Sequence, residues 1–171
     1  LIAGLVLAGF ALATEGSIPR PADGREWGIV SGLAVTGIFL YALCFFYGLR
    51  HIPAGRGALV VALNPVVVAL AAWFVGQERM TPMKFAGIAI ALAGCLTVIG
   101  NGDPLALLHG AVGIGEWLIV GCVLCWTAYT FIGRSATQTL SPLAATLAAS
   151  LIGAVLLGIA ALVQGGIAVG D

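Results

Sequence analysis

Residues 59–80 read LVVALNPVVVALAAWFVGQERM, an almost unbroken apolar run interrupted near its midpoint by Asn64 and Pro65. Together with the residues from Pro53 onward, the run is long enough to cross a bilayer. About 20 apolar residues, each rising about 1.5 Å, span a hydrocarbon core roughly 30 Å thick. Counted inward from Pro53, Asn64 lies near mid-membrane, where lipid offers an amide no hydrogen bond. Pro65 has no N–H to give to the Val61 carbonyl, so a second polar group is freed about one turn away and the helix is expected to kink. The pair makes a polar spot at the depth where secondary transporters bind solute on broken helices. An amide there has two uses: it bonds a neighbouring helix, or it faces a water-filled cavity.

The rest of the chain repeats the pattern of this run. Of the 171 residues 61% are hydrophobic and 8% charged, against about 45–50% and about 25% in soluble domains. Mean hydropathy is +1.13. Apolar segments fall at about 1–14, 27–50, 53–76, 83–100, 115–134 and 142–163. The fold class is therefore all-α, a polytopic transmembrane helix bundle. The segment at 1–14 is short for a span, begins without Met and lacks a basic flank, so the chain is expected to be an internal piece of a longer protein, cut inside a helix. Thr81-Pro82 and Ser141-Pro142 each offer a capping hydroxyl followed by proline at the first helical position, and Pro53 suits that position too.

Charge sets the orientation. With alternating spans, Arg20, Arg25, Arg79, Lys84 and Arg134 share one side, and Arg50 and Arg56 share the other. The positive-inside rule puts the first group in the cytoplasm. The half-apolar 101–115 connection, suited to lying on the bilayer surface, and the tail from Gly165 are then outside. Trp27, Trp73 and Trp117 fall near span ends, in the interfacial belt, while Trp126 does not.

At 100° per residue, Cys122, Trp126, Tyr129 and Gly133 share one face of the 115–134 segment, and Tyr41 shares a face with Gly37, Phe45 and Gly48. Tyr41, Asn64, Trp126 and Tyr129 are the candidates for lining a solute cavity, with core packing as the alternative for the aromatics. Small residues at helical spacing, Gly28/Gly32, Gly87/Ala91 and Ala145/Ala149/Gly153, suit close helix contacts.

Several classes are excluded or unsupported. Seven Lys/Arg balance seven Asp/Glu with no basic run, so no nucleic-acid partner is expected. Cys122 and Cys125 have CxxC spacing but lack the second pair that a structural zinc site needs, so with Cys44 and Cys95 they read as packed thiols and no metal is expected. There is no HExxH or GxSxG motif, so no catalytic residue and no cofactor are assigned and the chain is not read as an enzyme. No ionisable side chain falls deep in a span, as a proton relay would need.

The stretch YGLRHIPAGRGALVVALNPVVVALAAWFVGQERMTPMKFAGIAIALAGCLTVI, residues 47–99, resembles the first repeat of EamA-type transporters of the drug/metabolite transporter superfamily. The matching positions are Leu49, Pro53, Ala54, Leu63, Pro65, Glu78, Arg79, Gly87, Leu92 and Gly94. The later GEWLIVGCVLCWTAYTFIGR and SPL resemble the start of the second repeat. The resemblance implies about six spans of a ten-helix fold of two inverted five-helix repeats. Residues 1–100 would be the end of the first repeat (part of helix two, then helices three to five), 101–115 an external loop, and 116–171 the start of the second (helices six and seven).

It also implies transport, commonly export, of small organic metabolites such as amino acids by alternating access, from a multi-pass position in a bacterial inner membrane. The partners are then a small solute and the lipid bilayer. Tyr41, Asn64, Trp126 and Tyr129 would fall on lining helices. Arg56 departs from the small or apolar residue expected in its place; it either meets an anionic group at the outer mouth or snorkels to the interface. Glu78 and Arg79 form a cytoplasmic turn, as a gate pair or as topology-fixing charges. The competing class is a membrane scaffold that binds a partner through its helices and moves nothing.

Overall fold

The computed structural model describes residues 21, 23–99 and 113–163. The expected segment at 1–14, the connection through Arg20, most of the 101–115 loop and the tail from 165 lie outside the described residues. Five helices account for nearly all of the rest: α1 Gly24–Leu49, α2 Ala54–Phe74, α3 Pro82–Ile99, α4 Ile114–Ala136 and α5 Pro142–Val163. Among the described residues α1, α2, α4 and α5 are long and apolar enough to cross a membrane, and α3 is a shorter apolar helix. They match the spans expected from hydropathy to within a few residues at each end, and among the described residues no strand occurs.

The helix ends are built as their sequences dictate. Lys84 N–H donates to Thr81 Oγ1 at 3.3 Å and Ala144 N–H to Ser141 Oγ at 3.2 Å, so both Thr-Pro and Ser-Pro pairs cap their helices. Pro53 sits one place ahead of the first helical residue, its carbonyl accepting from Arg56 and Gly57. At the end of α2, Gly76 takes φ 74°. Gly76 N–H then bonds Trp73 O and Gln77 N–H bonds Ala72 O, each at 2.9 Å, the paired bonds that close a helix through a left-handed glycine.

Two helices are irregular. α2 breaks into Ala54–Val61 and Asn64–Phe74. Ahead of Pro65 the backbone tightens: Leu63 N–H reaches back only to Val60 O, at 3.0 Å. The expected kink is thus a two-residue break. In α1, Ala34–Leu40 is wound as a π-helix, which the hydropathy pattern does not signal.

The chain divides into two compact units. The first holds the described residues up to Leu40 together with those from Ala128. Its core is Val30, Leu33 and Ala34 of α1 against Ala136, Leu140, Ala144, Ala145 and Ala149. Gly153 continues the small-residue row of α5, and a Cβ there would lie 2.6 Å from Ile38 Cγ2, so the glycine makes room for that α1 side chain. Gly28 and Gly87, expected to act likewise, have no atom of the described residues within 4 Å of where a Cβ would be.

The second unit, Tyr41–Thr127, is centred on Ile119, Cys122 and Val123 of α4 with Ile52, Val60 and Cys95. Gly48 supplies the notch that lets Ile119 in, since a Cβ there would meet its Cδ1 at 2.7 Å. Large apolar side chains such as Phe74 and Leu162 stay exposed, as lipid-facing residues do. Trp27, Trp73 and Trp117 are exposed near helix ends, as expected of an interfacial belt.

Candidate functional site

Four threonine hydroxyls inside the spans satisfy themselves locally. Thr36, Thr97, Thr127 and Thr146 each donate to the carbonyl four residues back, at 2.7, 2.8, 2.8 and 2.7 Å. Asn64 does not. Its Oδ1 is shielded from solvent and accepts no hydrogen bond from the described residues. A buried acceptor without a donor costs about 1–3 kcal/mol, so this oxygen marks a place where a donor belongs. It sits at the first residue after the α2 break, and Pro65 beside it leaves the Val61 carbonyl without its usual donor.

Tyr41 and Trp126, in the same unit as Asn64, are brought together. Their ring centroids are 5.9 Å apart and tilted by 56°. Phe45 extends the group, stacked on Tyr41 at 6.1 Å. Closeness of α1 and α4 makes this possible: a Cβ on Gly121 would lie 3.3 Å from Cys44 Sγ, and Cys122 Sγ approaches Tyr41 O at 3.5 Å. Trp126 is 39% exposed, so the indole is partly open as well as packed beside tyrosine.

Tyr129 belongs to the first unit and packs differently. Its ring lies on Gly37, in the π-wound part of α1, so closely that a Cβ on Gly37 would be 2.2 Å from Tyr129 Cδ2. The same side chain lines a cavity of about 340 Å³ with Leu33, Thr130, Arg134 and Thr146. Within the second unit Cys122 and Trp126 approach α1 at Tyr41, and within the first Tyr129 and Gly133 approach it at Gly37 and Leu33.

The charged candidates find partners that spacing alone does not name. Glu78 pairs with Lys84 across the α2–α3 turn, while its neighbour Arg79 is exposed. Arg56, expected to meet an anion at the mouth or snorkel, places Nη1 3.2 Å from Glu116 Oε1. Sequence reasoning misses Glu116. It is 5% exposed, and its other oxygen, Oε2, accepts Gly113 N–H at 2.9 Å. The available signal is its place three residues after Gly113 at the head of an apolar run, the position from which a glutamate reaches back to cap its own helix. The cysteines carry free thiols, Cys95 and Cys122 buried and Cys44 and Cys125 half-buried.

Comparison with known proteins adds to this geometry. The model of the EamA-like transporter family matches residues 1–100. An uncharacterized transporter, YyaM, of Bacillus subtilis is 32% identical over 123 residues, covering 72% of this chain and 40% of that protein. A probable terminal-alkyne amino-acid exporter of Streptantibioticus cattleyicolor is 30% identical over 131 residues, 74% of this chain and 42% of the exporter. An aromatic amino acid exporter, YddG, of Ancylobacter novellus is 26% identical over 106 residues, 58% of this chain and 35% of the exporter. The chain thus spans about two fifths of the length of these relatives. No solved structure gives a significant match.

Proposed function

Since the chain belongs to the EamA-like transporter family, a family of multi-pass membrane proteins, we propose that it is part of a bacterial inner-membrane transporter that exports small organic metabolites, amino acids among them, by alternating access. The match over residues 1–100 carries this reading. Two relatives named as amino-acid exporters support the solute class. Residues 1–100 are read as the end of one five-helix repeat, 101–115 as an external connection and 116–171 as the start of the inverted second repeat. The end of the family match at residue 100 supports that division, and the uneven placement of Lys and Arg supports the orientation.

In this reading Asn64 and the broken α2 lie on the solute path. The buried Oδ1 is an acceptor waiting for a donor such as an amino group, and Tyr41 and Trp126 give an aromatic wall for an apolar portion. Tyr129 is read as a lining residue within the first unit, at its own cavity. Pro65 maintains the break. Glu78 and Arg79 are read as turn charges that fix topology, with Lys84 holding Glu78 in place. Bond-making chemistry has no part in the reading, nor does a cofactor.

The test is flux. The whole protein in liposomes, offered a mixture of amino acids and related metabolites, is expected to move at least one of them faster than protein-free vesicles do. No movement of any component would overturn the proposal.

A further inference from the structure

Arg56 and Glu116 are the third residues of α2 and α4, sixty positions apart in the chain, and they meet at the end that the charge distribution places outside. We propose that this pair is an outer latch, holding the starts of α2 and α4 together in the conformation seen here and parting when the outer face opens. The proposal rests on the transport reading, in which α2 belongs to the first repeat and α4 to the second.

Each half of the pair is poorly placed alone. A cation in the first turn of a helix faces the positive end of the helix dipole, and Arg56 occupies such a turn. Glu116 is almost completely buried, where a carboxylate without a cation is costly. Together the two offset each other, and the second carboxylate oxygen is held by Gly113 N–H. Buried ion pairs roughly break even against full hydration of both charges. Opening that admits water therefore costs little, whereas losing one partner in the closed state costs much. That asymmetry is what a latch requires.

The surrounding contact is also built to part. A Cβ on Gly115 would lie 2.7 Å from Ile52 Cγ2, 2.8 Å from His51 Cβ and 3.2 Å from the Gly48 carbonyl. At Gly115, then, α4 rests on the α1–α2 turn with no side chain of its own to withdraw. Ile52 lies under this contact and is buried.

The experiment uses the whole protein in right-side-out vesicles with Ile52→Cys as a reporter, labelled by a membrane-impermeant maleimide and read at that peptide by mass spectrometry. Adding Glu116→Gln is expected to raise the labelling rate roughly tenfold, the change that about 1.4 kcal/mol makes in an equilibrium. The charge swap Arg56→Glu with Glu116→Arg is expected to bring the rate back toward that of the native pair. Separately, bridging Arg56→Cys to Glu116→Cys with a reductant-cleavable bifunctional thiol reagent should lower flux at least tenfold, with recovery on reduction. An unchanged labelling rate in Glu116→Gln, or full flux after bridging, overturns the latch. Raised labelling in a protein that moves no solute overturns the transport reading, and with it the latch's part in transport, while the ion pair is still shown to hold the starts of α2 and α4 together.

Discussion

Trp126→Ala is expected to lower solute flux by about tenfold or more while the protein still inserts and folds. The indole is 39% exposed and its ring centroid lies 5.9 Å from that of Tyr41, so its removal takes away a partly exposed aromatic surface rather than a core plug. The core beside it, Ile119, Cys122 and Val123, is untouched, and Tyr41 keeps its stack on Phe45. Loss of about 1.4 kcal/mol of transition-state binding is enough for a tenfold effect. Trp126→Phe retains a ring and should keep most of the flux. Initial rates in liposomes, set beside thermal unfolding in detergent, separate the two effects. Equal losses of flux and of folded protein would show that the indole is only packing.

Gly37→Ala should lower stability by about 1–3 kcal/mol, the usual range for an extra carbon forced into a packed contact. The added methyl would fall 2.2 Å from Tyr129 Cδ2 and 2.8 Å from its Cγ, and the root of a ring yields less readily than its tip. Combining Gly37→Ala with Tyr129→Ala should recover part of the loss, because the two residues share one contact and their effects cannot add. Melting temperatures of the four proteins in detergent measure that coupling. A Gly37→Ala protein that melts like the native one would mean the ring moves aside freely. In the transport reading Tyr129 lines the 340 Å³ cavity, so the displaced ring should also change the solute concentration for half-maximal flux.

Much of this architecture is legible in the amino acids because a bilayer is a severe solvent. An unpaired backbone group cannot sit in lipid, so long apolar runs must be helices, and Thr81-Pro82 and Ser141-Pro142 announce where they start. The break in α2 follows from Pro65 for the same reason, since the missing N–H is a local fact.

What escapes a reading of the sequence depends on pairs distant along the chain. Gly37 beneath Tyr129 and Gly48 beneath Ile119 look like any other glycines until the partner helix is in place. Arg56 and Glu116 are each an isolated charge at a helix start, and only the packing of α2 beside α4 makes them one feature. The π-wound stretch Ala34–Leu40 follows no hydropathy period, so nothing in AVTGIFL foretells it. Spacing also names Arg79 as the neighbour of Glu78, whereas the turn delivers Lys84.

In the proposed function the Asn64 amide faces a path open to solute. That placement is tested most directly with Asn64→Cys in the whole protein, by following the reaction of the introduced thiol with a charged, water-soluble thiosulfonate, with and without a transported amino acid. This thiol is expected to be modified, and the solute to slow the modification several-fold. A thiol at that position that stays unreactive from both faces of the membrane while the protein transports would show that Asn64 bonds a neighbouring helix and lines no path.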